Sequence, residues 1–135
     1  MTGRLSANLP PMKVLLVDDT RTLLSLLQVY LLGWSLEFIE ARDGIEGLAK
    51  AREQKPELII SDIRMPGMDG FEFCAAVRAD RALHAVPFIM LTSLTDDMSR
   101  RKGKLVGATA FLTKPIAPEQ LRAIVAELLK LPPSR

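Results

Sequence analysis

Four apolar runs in this chain end in side chains that can do chemistry. KVLLV (13–17) runs into Asp18-Asp19, ELIIS (57–61) into Asp62, PFIML (87–91) into Thr92-Ser93, and AFLT (110–113) into Lys114-Pro115. Carboxylates gathered in one pocket repel each other, so a proton or a cation must sit among them. Carboxylate oxygens are hard ligands, and no His or Cys stands at these positions, which favours Mg2+. A carboxylate can also attack phosphorus and form an acyl phosphate. Phosphoryl transfer asks a protein mainly for positioning and charge neutralisation. Lys114 would neutralise one side of a transferred group, and the Thr92 hydroxyl would donate to one of its oxygens. Singly, each residue has a plainer reading. Acids favour helix N-termini, and Asp69-Gly70 is a common turn and N-cap pair, the reading adopted here for Asp69. Jointly they are different, because turn residues have no reason to supply acids, a hydroxyl and an ammonium at four strand ends.

The elements that must position these groups alternate along the chain. The apolar runs 13–17, 57–61 and 87–91 have the length and content of strands buried on both faces, and 110–113 is a shorter one. LEFIE (36–40) alternates in character and reads as a strand nearer an edge. Pro87 stands at the first residue of its strand, where a missing N–H is tolerated. Between the strands, 20–33, 44–54, 69–78, 95–106 and 117–130 read as helices. The expected inward positions are Leu23, Leu27 and Leu31 in the first, with Gly33 as its stop. They are Ile45, Leu48 and Ala49 in the second, Phe71, Ala75 and Val77 in the third, and Leu121, Ile124, Val125 and Leu128 in the last. Pro118 sits in that last helix's first turn. Strict alternation of strand and helix predicts an α/β fold, a parallel sheet joined by right-handed crossovers with helices on both faces. In such a sheet, ligands bind beyond the carboxyl ends of the strands, where the chemically active residues lie.

Composition narrows the classes. At 135 residues the chain holds one domain, and 48% apolar with 25% charged residues is ordinary for a globular protein. A formal charge of +2 is too small to argue for nucleic acid. The single cysteine, Cys74, excludes an intramolecular disulfide and a Cys-based metal site, and reads as a small buried hydrophobe. Residues 1–12 lack a signal-peptide core and no apolar run approaches bilayer length, so a cytoplasmic protein with no membrane association is expected. The expected boundaries are an N-terminal tail over 1–12, one domain over 13–131 and a C-terminal tail over 132–135.

The stretches LLVDD (15–19), SDIRMPGMDG (61–70), MLTS (90–93) and FLTKP (111–115), in this order and at these spacings, strongly resemble the receiver domain of two-component response regulators. The resemblance implies a flavodoxin-like five-stranded sheet in the order 2-1-3-4-5. It implies Asp62 as phospho-acceptor, and Asp18, Asp19, Asp62 and the backbone carbonyl of Arg64 as ligands of Mg2+. It further implies Thr92 as switch hydroxyl, Lys114 as its partner at the phosphoryl group, a cis bond before Pro115, and Phe111 as switch aromatic. In similar domains the positions of Arg64 and Leu94 border the phosphoryl group. A bulky cation and a bulky aliphatic there are expected to hinder the attacking water and prolong the phosphorylated form.

The implied partners are a sensor histidine kinase or histidine phosphotransfer protein as donor, and a downstream protein bound through the fourth helix, fifth strand and fifth helix. No direct DNA binding is expected. The chain reads as a stand-alone receiver, with a receiver excised from a larger regulator or hybrid kinase as the alternative. It is not expected to be an enzyme beyond its own phosphorylation and dephosphorylation. The fourth helix carries Arg100, Arg101, Lys102 and Lys104 around an interior Gly103; it suits an acidic partner or is a solvated charged face. Leu26, Val29 and Leu32 in the first helix exceed one buried stripe, and form either a partner or homodimer surface or a broad core face. A haloacid-dehalogenase-type phosphatase is disfavoured because VDDT lacks the DxD pattern and there is no room for a cap domain. A flavodoxin-like cofactor binder is disfavoured because no Ser/Thr/Gly-rich phosphate loop follows the first strand.

Overall fold

The computed structural model describes residues 10–93 and 97–132. Strands and helices alternate: β1 (Met12–Val17), α1 (Arg21–Tyr30), β2 (Leu36–Ala41), α2 (Gly44–Gln54), β3 (Leu58–Asp62), α3 (Gly70–Ala79), β4 (Phe88–Thr92), α4 (Asp97–Val106), β5 (Ala110–Thr113) and α5 (Pro118–Leu129). All strand pairs are parallel and the order is β2-β1-β3-β4-β5. The three central strands are those whose sequences are continuously apolar, because each is covered on both faces. Along β1, Leu15 and Val17 enter one core cluster while Val14 and Leu16 enter the other, as the two-residue period of a strand requires. The first cluster lies under α2 and α3, and the second under α1 and α5.

Several boundaries and facings differ from the sequence reading. Met12, placed in the tail, pairs with Leu36 as the first residue of β1. Asp62 and Thr92, expected just past their strands, are the last residues of β3 and β4. The first helix ends at Tyr30 rather than Gly33, and its most buried residues are Leu24 and Leu27. In α2, Ile45 and Ala49 face outward while Gly44, Gly47, Leu48 and Ala51 are buried, Gly44 against Met68 and Gly47 against Phe73 and Val17. The two glycines are small enough to bring that helix close, and this rotates the buried face by a residue. In α3, Ala75 is exposed, and Phe73 and Cys74 are buried instead. Leu26, Val29 and Leu32 are 38%, 58% and 67% exposed, so the broad-core alternative for the first helix does not hold. Cys74 is fully buried, and burial pushes its thiol up to about 11.

Candidate functional site: an acidic pocket at the carboxyl edge of the sheet

β1, β3, β4 and β5 each deliver one part of the site at their carboxyl ends. Their register is held by main-chain bonds that continue past the strands. The Asp18 N–H donates to the Ala41 carbonyl at 3.0 Å, that of Ile63 to Leu91 at 3.2 Å, and that of Lys114 to Thr92 at 2.8 Å. Asp18, Asp62 and Thr92 are buried, and Asp19 is exposed at the rim. The Lys114 side chain, 29% exposed, reaches in from solvent; the peptide bond joining it to Pro115 is cis.

The carboxyl groups are fixed by different partners. Asp62 Oδ1 accepts the Ile63 N–H at 2.9 Å and lies 3.2 Å from Lys114 Nζ. Asp18 Oδ1 accepts the Thr20 N–H at 2.7 Å. Asp18 Oδ2 is buried with no hydrogen-bond partner; its nearest cation is Lys114 Nζ at 3.6 Å, an ion-pair distance beyond hydrogen-bond range. Burial pushes the Asp18 carboxyl above the usual range, with the Asp62 charge adding to it; the Thr20 N–H and the Lys114 ammonium pull the other way. A buried acceptor without a donor is costly, and one way to relieve it is a cation. Oxygen atoms of Asp18, Asp19 and Asp62 lie within 4.8 Å of one another, and among the described residues this is the group of acids that can hold a metal ion. An all-oxygen donor set on the edge of an open cleft suits a hard divalent ion that keeps some of its water.

The position of Asp62 is also set by α3. Asp69 caps this helix: its Oδ1 accepts the Glu72 N–H at 2.9 Å, and Glu72 Oε1 accepts the Asp69 N–H at 3.0 Å. Asp69 is thus structural, and points at its own helix. Gly70 donates to the Ile63 carbonyl at 2.7 Å, and a Cβ there would meet the Asp62 carbonyl and come within 2.7 Å of Ile63 Cα. The backbone of Asp62 and Ile63 and the first turn of α3 touch directly, which only glycine permits. The Arg64 side chain is exposed and lines a cleft of about 550 Å3 with Asp19, Pro66 and Phe71. Leu94 lies outside the described residues.

Phe111 and Thr92 project to the same sheet face, since Met90 pairs with Phe111 and Thr92 with Thr113. The Phe111 ring is half-buried and packs on Gly103 of α4. In the sequence, Gly103 stands out only as an interior glycine among cations. Its role as the seat of the ring was missed, and that isolation was the available signal.

A doubly wound sheet with two adjacent acids after β1, an acid ending β3, a hydroxyl ending β4 and a lysine after β5 defines the receiver class of α/β proteins. Comparison with known proteins agrees. Residues 14–126 match the response regulator receiver domain family. Protein PilG of Pseudomonas aeruginosa is 36% identical over 110 residues, 82% of each chain. The alkaline phosphatase synthesis transcriptional regulatory protein PhoP of Bacillus subtilis is 36% identical over 118 residues, 87% of this chain and 48% of that protein. This chain therefore spans about half the length of PhoP. The chemotaxis response regulator CheY4 of Vibrio cholerae superposes with a TM-score of 0.81 at 40% identity, covering 87% of this chain and 98% of that one. The chain belongs to the response regulator receiver domain family, whose general function is a phosphorylation switch in two-component signalling. No helix among the described residues is long and apolar enough to cross a membrane.

Proposed function

We propose that this chain accepts a phosphoryl group on Asp62 from the phosphohistidine of a sensor histidine kinase or histidine phosphotransfer protein. An Asp62 carboxylate oxygen attacks phosphorus, the P–N bond to the donor imidazole breaks, and the imidazole leaves with a proton. The observation that carries this reading is Lys114 Nζ, 3.2 Å from Asp62 Oδ1, beside the unpartnered buried Oδ2 of Asp18. One cation is already aimed at the acceptor, and an oxygen ligand for a second stands next to it. Asp18, Asp19, Asp62 and the carbonyl of Arg64 would hold Mg2+, which when bound neutralises charge on the transferred phosphoryl group. Lys114 binds a second phosphoryl oxygen, and the Thr92 hydroxyl moves toward a third. Phe111, on the same face as Thr92, follows that movement and changes the α4–β5–α5 surface.

That surface is the output. Arg101, Lys102 and Lys104 are exposed on α4, beside Met98 and Leu105, which are 72% and 87% exposed. Basic charge beside exposed aliphatic side chains fits a downstream protein segment that is acidic and partly apolar. The chain acts in the cytoplasm, where its donors' kinase domains are, and catalyses only its own phosphorylation and dephosphorylation. Arg64 borders the acceptor and slows the attacking water, so Arg64→Asn is expected to shorten the life of the phosphorylated form.

Intact-mass measurement after incubation with acetyl phosphate and Mg2+ tests the proposal. A gain of one phosphoryl group, lost in Asp62→Asn and on chelation of Mg2+, is expected. No gain, or a gain that survives Asp62→Asn, overturns it. Sustained turnover of unrelated phosphate esters would instead mark an aspartyl-phosphate phosphatase.

A further inference from the structure

Gly103 is the buried residue of α4, in a helix otherwise rich in exposed cations. Glycine inside a helix costs about 1 kcal/mol relative to alanine, so its presence calls for a reason in packing. A Cβ on Gly103 would come within 2.6 Å of Phe111 Cζ and 3.1 Å of Met90 Sδ. The ring occupies the space that any other side chain would fill. One turn earlier, the Arg100 guanidinium lies 5.5 Å from the centroid of the same ring, and its Nη2 donates to Thr113 Oγ1 at 3.1 Å. Thr113 is the register partner of Thr92. Arg100 also lines a groove of about 300 Å3 with Phe111, Gln120 and Ile124, between α4 and α5.

From these contacts we infer that Arg100 and Gly103 form a latch that holds the Phe111 ring against α4 and opposes the switch. The inference rests on the proposed phosphorylation of Asp62. In the conformer where Lys114 pairs directly with Asp62, the ring is seated on Gly103 and pinned by a guanidinium anchored on β5. For Phe111 to follow Thr92, the ring must leave its seat and Arg100 must release Thr113. The latch thereby sets how much of the phosphorylation energy is spent on opening. Because Arg100 forms part of the groove, its release reshapes the surface offered to a partner. Both are positioning residues that act through Phe111, and neither touches the acceptor.

Beryllofluoride with Mg2+, a stable mimic of the phosphoryl group, tests this by calorimetry on the unsubstituted chain, Arg100→Met and Gly103→Ala. Fluorine NMR of chains carrying 4-fluorophenylalanine, with the Phe111 signal assigned by Phe111→Leu, reports the ring directly. Arg100→Met retains a long side chain and keeps the measurement possible if Gly103→Ala fails to fold. The expected result is tighter beryllofluoride binding in Arg100→Met by at least about fivefold, the low end of ordinary coupling between sites. Its Phe111 resonance should also shift toward the beryllofluoride-bound position of the unsubstituted chain. Loss of a merely structural contact would not tighten binding. Unchanged or weaker binding in Arg100→Met, or an unmoved Phe111 signal, overturns the latch alone. No beryllofluoride binding by the unsubstituted chain overturns the phosphorylation reading, and the latch with it.

Discussion

α3 and α4 are neighbours on one face of the sheet, and each is 10 residues long, yet they are held in opposite ways. α3 buries Phe71, Phe73, Cys74 and Val77, carries a reciprocal capping box, and presses Gly70 against the backbone of Asp62. Its last turn is tied down by Arg78, whose guanidinium donates to the carbonyls of Val86 and Gly107 at 2.6 and 2.9 Å. In α4 only Gly103 is buried, and cations resting on aromatic rings help to hold the helix. Arg100 lies over Phe111 and Lys102 over Phe71, the latter at 4.7 Å from the ring centroid. Contacts of this kind are worth about 0.5–1 kcal/mol at exposed sites, against about 1.5–3 kcal/mol for each large apolar side chain buried. The difference divides the labour: the helix that packs against Asp62 is held by buried apolar side chains, and the helix beside Phe111 is cheaper to move.

Paired truncations break this comparison most directly. Phe73 is fully buried and meets Phe88 edge-on at 5.3 Å. Phe73→Ala is expected to cost about 3–5 kcal/mol in urea unfolding, whereas Leu105→Ala on α4 should fall within about 0.5 kcal/mol. Comparable losses would show that α4 is as firmly packed as α3. Cysteine reactivity gives the next largest contrast. With its thiol raised to about 11 from 9.0, Cys74 holds about a hundredfold less thiolate than an ordinary cysteine at pH 8. A cysteine placed by Leu105→Cys in a Cys74→Ser background should react with iodoacetamide at least about a hundredfold faster than Cys74 in the native chain. The sign of the linked pH effect follows from the raised value. The folded state keeps the proton longer, so Cys74's contribution to stability is whole below about 9 and is lost as pH rises toward about 11.

Smaller effects sharpen the same contrast. Gly70→Ala forces a methyl against the Asp62 carbonyl, and should cost about 1–3 kcal/mol by overpacking. It should also slow acetyl-phosphate labelling of Asp62, because the acceptor's main chain must shift; a normal labelling rate would show that α3 does not place the acceptor. Asp69→Ala removes the cap and should cost about 1 kcal/mol while leaving labelling nearly unchanged, because Asp69, although it lines the cleft beside Asp19 and Arg64, has its Oδ1 engaged by the Glu72 N–H.

Most of the site was legible because a strand ends within a residue of its apolar run, and parallel strands put their carboxyl ends on one edge. Asp18, Asp62, Thr92 and Lys114 needed no more than that, and the β5 span 110–113 was legible to the residue. Helix facing was less legible. Ile45 and Ala49 lie outside and Gly44 and Gly47 inside, because a helix turns its face according to how close its neighbours let it come. Burial favours the closer approach over the larger side chain. In α1, Leu24 shares the i, i+3, i+7 face of Leu27 and Leu31 and is buried, whereas Leu23, the residue expected there, is only half-buried.

The sequence by itself determined the strict alternation of strands and helices and the acids, hydroxyl and lysine at the sheet's edge, because local periodicity and chain connectivity suffice for both. Tertiary structure alone decided that Asp18 carries a buried oxygen with no hydrogen-bond partner, that Gly70 touches the Asp62 carbonyl, and that Gly103 is the seat of the Phe111 ring. Each of these depends on how residues from separate elements pack against one another, and such packing leaves no period in a sequence.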